Sequence, residues 1–165
     1  MVANPPKNMP RIFAHMFYDD VGAAIDWLVE AFGFVVRIRM TDDEDGMVFH
    51  GQLEVEDSLV ALGLAAEHEG CESPRSLNGQ ITQRLFIYVD DVDAHAERAR
   101  KAGAKILYEP TTSFYGDRVY ECVDLEGHHW KFAQHVQDVD WTTLNRPPQI
   151  QEKMRAVRSK PVGDV

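Results

Sequence analysis

The sequence predicts an α+β fold: two tandem βαβββ modules whose curved mixed sheets pair around a cavity. Three observations carry this. The chain repeats itself, since Asp19-Asp20-Val21-Gly22-Ala23 resembles Asp90-Asp91-Val92-Asp93-Ala94 and the same offset takes Ala31 to Ala102. Each copy follows an apolar, aromatic run of strand type and precedes a helical apolar period closed by glycine. Each helix is then followed by three further strand-like runs separated by turn residues.

The elements follow in order. Residues 11–18 read as a buried strand. The Asp-Asp pair supplies a helix N-cap and a first-turn acid. Val21, Ala24, Ile25, Leu28 and Phe32 recur at helical spacing, and Gly33 stops the helix. Residues 34–40 form a strand, 41–46 a turn, 47–55 an alternating strand, and 58–64 another strand after the Glu56-Asp57 turn. In the second copy, 85–89 is the first strand, and Val92, Ala96 and Ala99 mark the helix face before Gly103. Residues 105–108 form a short strand, 110–117 a long loop, 118–123 a strand, 124–127 a turn and 128–134 the last strand. This divides the chain into an N-terminal extension (1–9), a first module (10–65), a linker rich in Glu, Gly and Ser (66–80), a second module (81–136) and a partly helical C-terminal extension (137–165). In that extension Pro147-Pro148 opens a helix with Ile150, Met154 and Val157 on one face.

The chain has 165 residues and a net charge of −10, long enough to bury a core without disulfides or structural metal. Its basic groups concentrate after residue 140, so the modules are more acidic than the total. An acidic body repels phosphate backbones, which argues against nucleic acid as a partner. No apolar run approaches a membrane span, so no membrane partner is expected. Residues 1–10 lack a basic start followed by an apolar stretch, so no secretory signal is expected. The two cysteines, Cys71 and Cys122, have no metal-like spacing, and a reducing cytoplasm is the expected location.

Four segments carry a family resemblance: Phe17-Tyr18-Asp19-Asp20-Val21-Gly22-Ala23-Ala24-Ile25, Tyr88-Val89-Asp90-Asp91-Val92-Asp93-Ala94, Tyr115-Gly116-Asp117-Arg118 and Asp124-Leu125-Glu126-Gly127-His128-His129-Trp130. In order and spacing they resemble the vicinal oxygen chelate superfamily (glyoxalase/bleomycin resistance protein/dioxygenase-like), and within it the PhnB-like branch. The resemblance implies the fold of that superfamily and, commonly, a homodimer. Metal-dependent members hold a divalent ion with His and Glu from four strands. The matching positions here are Phe13, Arg84, Lys131 and the neighbourhood of Ala61. A phenyl ring and a methyl group donate no lone pair, and two cations repel an ion. The usual metal site is therefore expected to be absent, and no cofactor is assigned.

Strand alternation from those positions selects an inner face. It gathers Phe13, His15 and Phe17, then Arg84, Phe86 and Tyr88, then Val119, Glu121, Val123, His129 and Lys131. His50, Gln52 and Glu54 form the polar set of their strand. Phe13, Phe17, Phe86 and Tyr88 suit either core packing or stacking on a flat ligand. His15, His50, Arg84, Glu121, His129 and Lys131 supply polar contacts, and Glu121 beside Arg84 or Lys131 forms an ion pair. The expected function is metal-independent binding of a small aromatic or amphipathic molecule, as in bleomycin-binding, antibiotic-resistance-like members. The alternative is a metal-dependent lyase, isomerase or dioxygenase with a shifted site built from His15, His50, Glu121 and His129. A third reading is a metal-free enzyme in which Glu121 or His15 moves a proton. Asp117 is expected to bond local backbone and Arg118 to pair with Asp117 or clamp a carboxylate. His128 is expected to bond within its hairpin, and the outward parity of Cys122 argues against a nucleophile.

Overall fold

The computed structural model describes residues 2–65, 70–140, 142–144 and 147–148, so the expected helix bearing Ile150, Met154 and Val157 lies outside the described residues. The strand-to-helix corner is built the same way in both modules. Strand β1 (Ala14–Tyr18) leads into helix α1 (Val21–Phe32), where the Asp20 carboxylate accepts the Ala23 N–H. The strand counterpart in the second module is β5 (Leu85–Tyr88), and its helix α2 (Val92–Lys101) has Asp91 accepting from Ala94. Each cap satisfies one of the orphan donors of a first turn.

Three strands follow each helix. The first module adds β2 (Val35–Thr41), β3 (Val48–Val55) and β4 (Ser58–Leu64). The second adds β6 (Lys105–Thr112), β7 (Asp117–Val123) and β8 (His129–His135). The two sheets have equivalent orders, β1-β4-β3-β2 and β5-β8-β7-β6, and each mixes one parallel pair with antiparallel pairs. The expected βαβββ duplication is therefore present.

Two expectations change. The first strand begins at Ala14, where the ladder opens with Ala14 opposite Val60, rather than at residue 11. The loop expected over 110–117 is strand up to Thr112. The reason is position: β6 is an outer edge, so Pro110 removes no ladder donor that a neighbour needs. The register slips between Tyr108 and Thr111 to accommodate it.

The modules meet on their helix sides. Phe32, at the end of α1, places its ring against His95, Trp130 and Phe132 of the second module at centroid distances of 5.7, 5.2 and 4.7 Å. Trp27 Nε1 donates to Ala102 O across the joint at 2.8 Å. Gly33 ends α1 at φ 73°, and any Cβ there would meet the Arg98 guanidinium at 2.5 Å. Glycine thus serves both the left-handed turn and the close approach of α2.

The second hairpin also closes the joint. Glu126 is buried and accepts the Asp19 and Asp20 N–H groups at 2.7 and 2.9 Å, together with Ser73 Oγ. A carboxylate from module two thus satisfies backbone donors at the start of α1, where the helix dipole favours negative charge. Its hairpin neighbour Asp124 accepts from Tyr18 and Trp130. The His128 main chain bonds Asp124 within its hairpin as expected, and its ring Nε2 also donates to Phe17 O at 2.8 Å, a bond between modules.

His95 is buried between Tyr120 Oη (2.6 Å) and Phe32 O (3.2 Å). Burial, with Arg98 adding to it, pulls its pKa from 6.5 down to about 4. As pH falls, the unfolded chain therefore takes up this proton first. The contribution is complete above pH 6.5 and is lost between there and pH 4, on the order of 3 kcal/mol in all. Guanidinium midpoints measured at pH 7.5 and 4.5 should differ by less in His95→Gln than in the parent. An unchanged difference would remove His95 as the source.

Candidate functional site

Alternation sends Leu53, Val55, Val60 and Leu62 to the helices and core, leaving the opposite sheet faces open. Phe13, Phe86 and Tyr88 lie on those faces, exposed by 40, 46 and 55%. Val35, Ile38, Met40 and Tyr108 are exposed there too. In the second sheet the register aligns Phe86, Lys131, Glu121 and Tyr108 in one row across four strands. In the first it aligns His15, Ala61, Gln52 and Ile38. The Gln52 Oε1 atom in that row is buried with no hydrogen-bond partner among the described residues.

A groove of about 1120 Å³ runs between the free edges of β1 and β5. Phe13, His15, Arg84, Phe86 and Tyr88 line it, with the β3–β4 turn at Glu56-Asp57 at one end. The duplication implies a matching groove on the other side of the two edges. The space there measures about 210 Å³, and linker residues Pro74, Leu77 and Gln80 form part of its wall with Phe17 and His129. Glu126, bonded to linker residue Ser73, anchors that wall.

His15 stands 4.6 Å from the Phe17 ring and 5.8 Å from the His50 ring, by centroids. Gly63 makes room for them, since a Cβ there would meet His15 Nε2 at 2.8 Å. On the second sheet Glu121 bridges two cations: Arg84 Nη1 at 2.8 Å and Lys131 Nζ at 3.5 Å. Lys131 Nζ also lies 5.4 Å from the centre of the Phe86 ring and 5.9 Å from that of Tyr115. The expected ion pair is thus a triplet. The ten candidate residues fall in two clusters: His15, Phe17 and His50 on one sheet, Arg84, Phe86, Glu121 and Lys131 on the other, with Phe13 and Tyr88 along the groove and His129 at the smaller space.

The four positions of the resemblance carry a phenyl, a methyl, a guanidinium and an ammonium, a set that offers a divalent ion no oxygen or neutral nitrogen. Among the described residues no three His, Cys, Asp or Glu side chains gather in a metal-holding group. Cys122 is buried, and burial pushes its thiol up to about 12.

Two polar groups differ from expectation. Asp117 is buried, and it accepts from Tyr88 Oη and His135 Nδ1, each at 2.8 Å, rather than bonding local backbone. Arg118 clamps a carboxylate, the second of its two expected roles, but that of Asp93 on α2 rather than of Asp117, because its strand parity faces α2. His135 also reaches Asp138 at 3.0 Å, and both carboxylates raise its pKa above the usual value. Asp117 thus ties the expected Tyr88 to His135, a further groove-lining residue that sequence reading missed. The signal was present, since the alternation that selects His129 and Lys131 continues to His135.

Comparison with known proteins agrees with this architecture. Residues 11–132 match the family model of the Glyoxalase/Bleomycin resistance protein/Dioxygenase superfamily. An uncharacterized protein of Mycobacterium bovis is 33% identical over 134 residues, spanning 79% of this chain and 87% of its own length. TioX from Micromonospora sp. ML1 superposes with a TM-score of 0.64 at 30% identity, covering 77% of this chain and 99% of that one. A family enzyme from Burkholderia phytofirmans PsJN shares the fold at 18% identity, with a TM-score of 0.58 and coverage of 75% and 97%.

Proposed function

The chain belongs to the Glyoxalase/Bleomycin resistance protein/Dioxygenase superfamily, and from that premise we propose that it binds a small, flat, partly apolar molecule in the groove between β1 and β5 without a divalent metal. The single observation that carries this is the row of exposed rings, Phe13, Phe86 and Tyr88, along an open groove. A flat aromatic ligand laid on those rings removes apolar surface from water on both partners. Both Glu121 oxygens face cations, so this carboxylate acts as the centre of an ion-pair triplet rather than as a free base. Sequestration of the ligand, as in bleomycin-binding members, fits this arrangement better than turnover. The two thiols are unpaired, in keeping with a reducing cytoplasm. The open faces also carry Val35, Ile38, Met40 and Tyr108, and a second copy of the chain covers them in the proposed homodimer.

The test uses 2-naphthamide, a neutral probe, titrated by fluorescence into protein dialysed against EDTA. Saturable binding is expected, unchanged by EDTA and weakened at least about tenfold in the Phe86→Ala/Tyr88→Ala variant. Binding that appears only after a divalent ion is restored would overturn the proposal, as would no binding at all. Sedimentation at micromolar concentration is expected to show a dimer.

A further inference from the structure

Charge distribution along the groove goes beyond its shape. Arg84 and Lys131 share one carboxylate, Glu121, and no other carboxylate lies within ion-pair distance of either among the described residues. The triplet therefore holds one positive charge in excess. Lys131 is mostly covered, with 14% of its side chain exposed, and among the described residues the Phe86 and Tyr115 rings flank its ammonium. A covered ammonium with one acceptor at 3.5 Å has unmet donor capacity, and water access to it is limited. Arg84 is half exposed and spends only Nη1 on Glu121, leaving further guanidinium N–H groups available at the groove.

The other end of the groove has the opposite sign. Glu56, Asp57 and Asp90 line it where β1 begins and β5 ends. Along one channel, Arg84, coupled through Glu121 to Lys131, thus stands at one end and carboxylates at the Asp90 end. An anionic group is attracted to the first and repelled from the second, so the groove orients a polar ligand.

We propose that the occupant is an aromatic carboxylate, its ring on Phe86 and its anionic oxygens between Lys131 Nζ and Arg84. This rests on the proposed aromatic groove and adds the chemical class of its ligand. The two cations supply fixed positive charge to ligand oxygens at this end of the groove. The acidic surface and the inner cations do not conflict: the overall charge is negative, and the excess positive charge is confined to one end of the groove.

The experiment compares 2-naphthoate with its isostere 2-naphthamide in the full chain. The acid is expected to bind at least about tenfold more tightly than the amide in parent protein at low salt. Lys131→Gln and Arg84→Gln should each shrink that gap at least threefold, while Lys131→Arg keeps it. Raising salt in the parent protein should weaken the acid and leave the amide nearly constant, a readout independent of how the variants fold. Equal binding of acid and amide overturns the anion subsite while the aromatic groove stands. Binding of neither probe overturns both.

Discussion

Asp124→Ala is expected to cost about 3–5 kcal/mol, a large fraction of the stability of an ordinary domain. Asp124 is buried and accepts five hydrogen bonds: Tyr18 Oη at 2.7 Å, Trp130 Nε1 at 3.0 Å, and the N–H groups of Glu126, Gly127 and His128. Truncation leaves the phenol and the indole buried with no acceptor, and an unmet buried donor costs more than a made bond contributes. The same surroundings raise the Tyr18 pKa well above its usual value, burial first and the Asp124 charge second. Asp124→Asn keeps the shape and one acceptor oxygen, so its loss should be smaller, about 1–3 kcal/mol. Guanidinium unfolding followed by tryptophan fluorescence measures both. A midpoint for Asp124→Ala within about 0.5 kcal/mol of the parent would deny the network its structural role.

Phe32→Ala should cost a similar amount, about 3–5 kcal/mol, by a different mechanism. The ring is almost fully buried and touches Trp27 and Phe34 of its own module as well as His95, Trp130 and Phe132 of the other. Removing it leaves a cavity that two rigid modules cannot both collapse into. Because the ring belongs to both halves, far-ultraviolet circular dichroism and tryptophan fluorescence should still report one coincident transition, only at lower denaturant. Two separated transitions, or a loss below about 1 kcal/mol, would sink the view that Phe32 joins the cores.

Much of the fold was legible because it depends on short-range signals written twice. Asp20 and Asp91 cap their helices as expected, and Val21, Ile25 and Leu28 are buried as their spacing requires. Pro110 misled because its cost depends on whether the strand is an edge, which is a property of the sheet and not of the segment. Parity predicted which residues share an open face, and the Arg84–Glu121–Lys131 triplet follows from it. The polar joints were illegible for a different reason. Glu126 and Asp124 read locally as an ordinary turn, and their partners at Asp19 and Tyr18 are more than a hundred residues away. Likewise, His95 sits in a helix repeat whose bland neighbours gave no sign that Phe32 and Tyr120 would enclose it.

The linker's occupation of one of the two related grooves has a consequence for traffic. A doubled unit starts with two equivalent doorways, and here the tether between the copies has bricked up one of them. Of the two spaces, about 1120 and 210 Å³, only the larger has room for a drug-sized molecule.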